Sequence, residues 1–174
     1  METLTDAPAS RLEELFMEEL RELYGAELHQ LMVLPLLKTA ASSQKLKNVL
    51  SSHLRDTREQ IERLESIFSR AGVPPLSRTS EAILGITREA EKVIGATLPG
   101  SATRDAGLVA AAQKLEHYEI SCYGSVAQHA RTLDYYDIDE ILEDSLMEEK
   151  EADDLLTTLA EYYINREAKQ EKRS

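Results

Sequence analysis

Cysteine, glycine, proline and tryptophan are all scarce in this chain, and each shortage excludes something. One cysteine, Cys122, leaves no intramolecular disulfide and suits a reducing compartment. Seven glycines and five prolines in 174 residues leave little material for frequent turns, which suits long helices. No strand signal and no low-complexity segment is present. The longest apolar run, Leu31-Met-Val-Leu-Pro-Leu-Leu37, is far shorter than the roughly 20 residues that span a bilayer. The N-terminus, Met1-Glu-Thr-Leu-Thr-Asp6, is acidic and has no apolar core, so no signal peptide is expected. Basic residues are outnumbered 20 to 32, and the net charge of −12 argues against nucleic acid and anionic membrane surfaces as partners. There is no phosphate-binding glycine loop and no nucleophile-with-base pattern, so no catalytic residue is assigned. These features describe a soluble, cytoplasmic, helical protein.

What is present is helical periodicity interrupted by carboxylates. Residues 1–174 are expected to form one domain, all-α, built from four long helices. The first spans 8–41, with Leu12, Phe16, Leu20, Leu23, Leu31 and Leu34 on one stripe and Pro35 inside the pattern. The second spans 43–72, with Ser43 as its cap and Gly72 at its end. The third spans 101–133. The fourth spans 137–166, where Asp137 and Glu140 resemble a capping box, and a polar, frayed tail follows from Asn165. Roughly thirty residues separate the second and third helices, where a direct hairpin needs about 2–8. That length allows one long crossover, carrying a short extra helix at 80–96, and lets the second and third helices run in the same direction.

The carboxylates fall where apolar residues belong. Glu119 sits on the stripe of Leu108, Ala112, Leu115, Cys122, Val126 and Leu133, and Glu116 lies one turn away. Glu27 and Asp56 are nearly equidistant from the first helical turn, and Glu119 and Glu149 from the second. At ~1.5 Å per residue, all four lie roughly 21–23 Å from their turns. One hairpin is in effect used twice, and its carboxylates meet at mid-bundle. His53, Gln60 and Asp153 flank the group as supporting residues. Buried like charges raise one another's pKa, so such a group calls for cations. Two divalent metal ions, iron or manganese, suit carboxylate-rich ligation.

The chain also resembles the YciF-type family of bacterial stress-associated, ferritin-like proteins. The residues that carry the likeness are Leu23-Tyr-Gly-Ala-Glu27, His53-Leu-Arg-Asp-Thr57 with Gln60, Ala110-Ala-Ala-Gln-Lys-Leu-Glu-His-Tyr-Glu-Ile120, and Glu148-Glu-Lys150 with Asp153. The resemblance implies a ferritin-like four-helix bundle, often dimeric, with Glu27, Asp56, Glu116, Glu119 and Glu149 as metal ligands. The first functional reading is a di-metal carboxylate protein handling iron, oxygen or peroxide under stress, with oxidoreductase activity of the di-iron carboxylate type as one expectation. The other reading is a non-catalytic dimeric scaffold or partner-binding module with an empty or relict site. A homodimer is expected, on the apolar residues Ile83, Leu84 and Ile86 of the short helix.

Overall fold

The structure, a computed structural model, describes residues 10–172. The acidic N-terminal stretch, Met1 to Asp6, lies outside the described residues. Helix α1 spans Arg11–Ala40 and starts where the Ser10 hydroxyl accepts the Glu13 amide at 3.1 Å. It runs through Pro35 without ending, because proline removes one hydrogen bond while Leu34 and Leu37 stay buried in the core. Helix α2 spans Gln44–Arg70 and is capped by Ser43. The tight turn between them is held from outside. Asp105 accepts from the Ser42 amide at 2.7 Å, the Ser42 hydroxyl at 2.6 Å and the Ser43 amide at 2.7 Å. Gly72, with φ of 68°, closes α2 by supplying the left-handed residue that a helix exit favours.

The chain then crosses α1 and returns along it. The Arg78 amide bonds to the Arg21 carbonyl at 2.9 Å. Gly25 permits this crossing, since a methyl there would lie 2.1 Å from the Arg78 carbonyl oxygen. Helix α3, Glu81–Ala96, packs on α1 and α4 and runs antiparallel to α4. Ser80 stands at its N-cap position but receives the Tyr118 hydroxyl at 2.8 Å instead of capping the backbone. Ile83 is buried and Ile86 packs against the core, so much of the short helix's apolar surface is covered within its own chain.

Helix α4, Ala102–Thr132, begins beside the α1–α2 turn and therefore runs parallel to α2. Helix α5, Tyr136–Leu159, completes an antiparallel hairpin with α4. Its N-cap is Tyr135, not Asp137. The Asp137 side chain instead pairs with Arg70 at 2.7 Å. A π-helical turn at Ala160–Ile164 leads into α6, Asn165–Gln170. The tail is thus helical to Gln170, and Glu171 accepts the Thr103 amide at 2.9 Å at the start of α4. The result is an all-α four-helix bundle of α1, α2, α4 and α5 with one long crossover carrying a short helix. No helix among the described residues is long and apolar enough to cross a membrane.

Candidate metal centre

Midway along the bundle the core turns polar. Glu116 and Glu119, one turn apart on α4, both face inward, as does Glu149 from α5 and His53 from α2. None is more than 4% exposed. One ligand atom from each of these four lies within 4.8 Å of all the others. His53 Nδ1 is 3.4 Å from Glu116 Oε2, and its Nε2 is 4.0 Å from Glu119 Oε2 and 3.9 Å from Glu149 Oε2. Glu27 on α1 is fully buried beside them and accepts the Tyr123 hydroxyl at 2.6 Å. Two glutamines hold the remaining carboxylates. Gln30 donates to Glu119 Oε2, and Gln60 donates to Glu149 Oε1 at 2.5 Å and to Glu148 Oε2 at 3.1 Å. Arg63 grips Glu148 with both guanidinium nitrogens at 2.6 Å, at the outer edge.

Burial pushes the carboxyls of Glu27, Glu116 and Glu119 well above the usual carboxylate range. Neighbouring carboxylates add to the effect: Glu149 for Glu27 and Glu116, and Glu27 followed by Glu149 for Glu119. The Tyr123 phenol is raised too, first by burial and then by Glu27. Without a cation, the centre therefore retains protons.

Several buried polar atoms here have no hydrogen-bond partner: Glu27 Oε2, Glu116 Oε2, Glu119 Oε1, Glu149 Oε2 and His53 Nε2, with Gln30 Oε1, Gln60 Oε1 and Thr57 Oγ1 around them. Each such atom costs about 1–3 kcal/mol, and folded proteins satisfy nearly all of them. A metal ion suits this donor set. Carboxylate oxygens and an imidazole nitrogen within 4.8 Å of one another are donors that iron and manganese accept.

Of the residues expected from the sequence, Glu116, Glu119 and Glu149 come together, and Glu27 is buried against them. His53, expected in a supporting role, stands directly among the carboxylates, and Gln60 does support them. Asp153 lies at the edge, where it accepts from Gln113 Nε2 at 3.1 Å. Asp56 is not brought in. Its carboxylate lies 3.0 Å from Arg55 and lines a surface cleft. Its depth along α2 is right, but its rotation is wrong, because the inward series is Leu50, His53, Thr57, Gln60 and Leu64. Cys122, expected in the core, is half-buried beside Tyr118, and Tyr123 takes the interior position. Gln30 and Thr57 escaped the sequence reading, while Tyr123 is the packed helical tyrosine with a bonded hydroxyl that its position suggests. Gln30 had a visible signal, lying one helical turn after Glu27 on the same face.

A family model described as a domain of unknown function, DUF892, matches residues 11–169. The chain belongs to the DUF892 family. Protein YciF of Escherichia coli K12 is 37% identical over 158 residues, covering 90% of this chain and 95% of YciF. Among solved structures, the E. coli stress protein YciF superposes with a TM-score of 0.84 at 36% identity, covering 90% of this chain and 99% of that one. YcfI of Rhodopseudomonas palustris does so at 0.83 and 36%, covering 88% and 98%. A Xanthomonas campestris protein at 17% identity shares the fold, with a TM-score of 0.71 over 92% and 98% of the two chains. This DUF892 chain thus has the YciF fold, and its buried histidine and glutamates form a cluster that could hold metal.

Proposed function

We propose that this protein binds divalent iron or manganese at mid-bundle, as a ferritin-like di-metal carboxylate protein that handles iron, oxygen or peroxide during stress. The observation that carries the reading is the convergence of His53, Glu116, Glu119 and Glu149 with unpartnered ligand atoms in a buried space. Charge supports two ions, since Glu27 with the three glutamates supplies four carboxylates for two divalent cations. The E. coli relative is described as a stress protein, which agrees with the proposed setting.

Bound iron or manganese would supply Lewis-acid and one-electron chemistry. The chain's own residues do the positioning. Gln30 and Gln60 orient Glu119 and Glu149, and Tyr123 fixes one oxygen of Glu27. Cation binding must displace the protons held on the raised carboxyls, so affinity rises with pH. The test is the metal content of protein purified without chelator, joined to thermal melts with and without Fe(II) or Mn(II). Metal-free protein whose melting point neither ion moves retires the reading.

A second reading rests on the same glutamines. By bonding Glu119 and Glu149 directly, they let the centre serve as a polar lock in a non-catalytic dimeric scaffold. Under that reading both metals leave the melting point unchanged. The homodimer is common to both. The exposed Met147 of α5 supports it, and light scattering at micromolar concentration tests it.

A further inference from the structure

We infer that the cleft between α2 and α5 is the route by which a divalent cation reaches the buried centre, with Asp56 and Glu151 as its outer docking carboxylates. The inference rests on the metal reading above. The cleft has a volume of about 240 Å³, and its walls include Ser52, His53, Asp56, Glu148, Glu151 and Ala152. His53 belongs to both the cleft and the centre. It is only 4% exposed, and its unpartnered Nε2 faces Glu119 and Glu149, so the ring is a wall shared by the cleft and the centre.

A second link joins the two spaces. Gln60 donates at once to Glu148, which lines the cleft, and to Glu149, which lies in the centre. Ser52 and Ala152, which line the cleft beside His53, carry small side chains. The charges grade inward. Glu151 is exposed, Asp56 is half-buried against Arg55, and Glu148 is neutralised by Arg63 at the threshold. Arg55 also lines the cleft, but the carboxylates of Asp56, Glu148 and Glu151 outweigh it, and a net negative wall of low dielectric concentrates cations. A second cleft, lined by Glu19, Glu22, Tyr118 and Cys122, shares no residue with the centre.

The residues of this route act on the rate of loading, not on the final affinity. The experiment is stopped-flow absorbance of Co(II), whose visible bands change as carboxylate and imidazole replace water. It uses the full chain, the double variant Asp56→Asn/Glu151→Gln, and Ser52→Trp, which plugs the passage. At low salt the double variant should load roughly three- to tenfold more slowly than wild type. Its final Co(II) content should equal wild type, and high salt should erase the difference by screening. Ser52→Trp should load slowly at any salt concentration. Wild-type loading rates in the double variant at low salt overturn the route, and this outcome holds even where Ser52→Trp fails to fold. Equal rates with full Co(II) content leave the metal reading standing and remove only the route. Absence of Co(II) binding by wild type removes both.

Discussion

The two ends of the bundle and its middle obey opposite rules. One end is packed by Leu34, Leu37, Leu46, Leu50, Leu108 and Leu156, and the other by Phe16, Leu20, Leu64, Phe68, Val126 and Leu142. Each such side chain contributes about 1.5–3 kcal/mol on burial. Between them, the same four helices bring carboxylates, glutamines and a histidine into an equally dry space, where each unsatisfied group costs about 1–3 kcal/mol. The ends hold the helices in register, and the middle uses that register at the expense of stability. A sequence selected for stability alone would have continued the leucine stripe through Glu119 and Glu149.

The contrast is broken most severely at the ends. Phe68 is fully buried, with its ring edge-on to Tyr24 at 5.6 Å between centroids. Phe68→Ala should lower the unfolding free energy by about 3–5 kcal/mol, read from the denaturant midpoint at constant slope. A loss under 1 kcal/mol would mean that this end does not carry the fold.

The middle should behave the other way. Glu119→Gln keeps the shape and removes an acid whose proton the metal-free fold must retain, so the metal-free variant should melt above wild type. Wild type should gain about 2.7 kcal/mol when Fe(II) or Mn(II) is a hundredfold above Kd, and the variant should gain little. Equal metal shifts in both proteins would move the centre away from Glu119.

Acidity sharpens the comparison further. The carboxyls of Glu27, Glu116 and Glu119 are raised in the folded protein, chiefly by burial. Below the ordinary glutamate range, about pH 4.3, both states hold these protons and the raised values cost nothing. Above it, the unfolded chain releases them while the folded chain retains them, so stability falls as pH rises toward the folded values. Glu119→Gln lacks one such contribution. The melting-point advantage of the variant over metal-free wild type should therefore widen as pH rises above the ordinary glutamate range. A gap that stays flat or narrows would contradict the burial of an ionisable Glu119.

The smallest effect is expected at Asp56, which shares the depth of the centre without its burial. Asp56→Asn should change stability by less than about 0.5 kcal/mol, as surface substitutions usually do. Equilibrium metal content should be unchanged, by metal analysis of the purified variant. A clear loss of bound metal would mean that Asp56 turns inward on binding.

How much was legible follows from what is local and what is not. Helix length, the caps at Ser43 and Gly72, and the long crossover are written in neighbouring residues, because hydrogen bonds within a helix fix its rise. The same rise put Glu119 level with Glu149 before any packing was known. Facing was a different matter. Each residue turns the helix by about 100°, and on α2 both His53-Asp56-Gln60 and His53-Thr57-Gln60 satisfy helical spacing. Only the packing of Leu50, Leu64 and Ile67 against α1 and α5 chose the second series, turning Asp56 to the cleft and His53 to the carboxylates. Gln30 and Tyr123 entered the centre for the same reason. Their partners, Glu119 and Glu27, are 89 and 96 residues away in the chain, a distance at which local spacing carries no information.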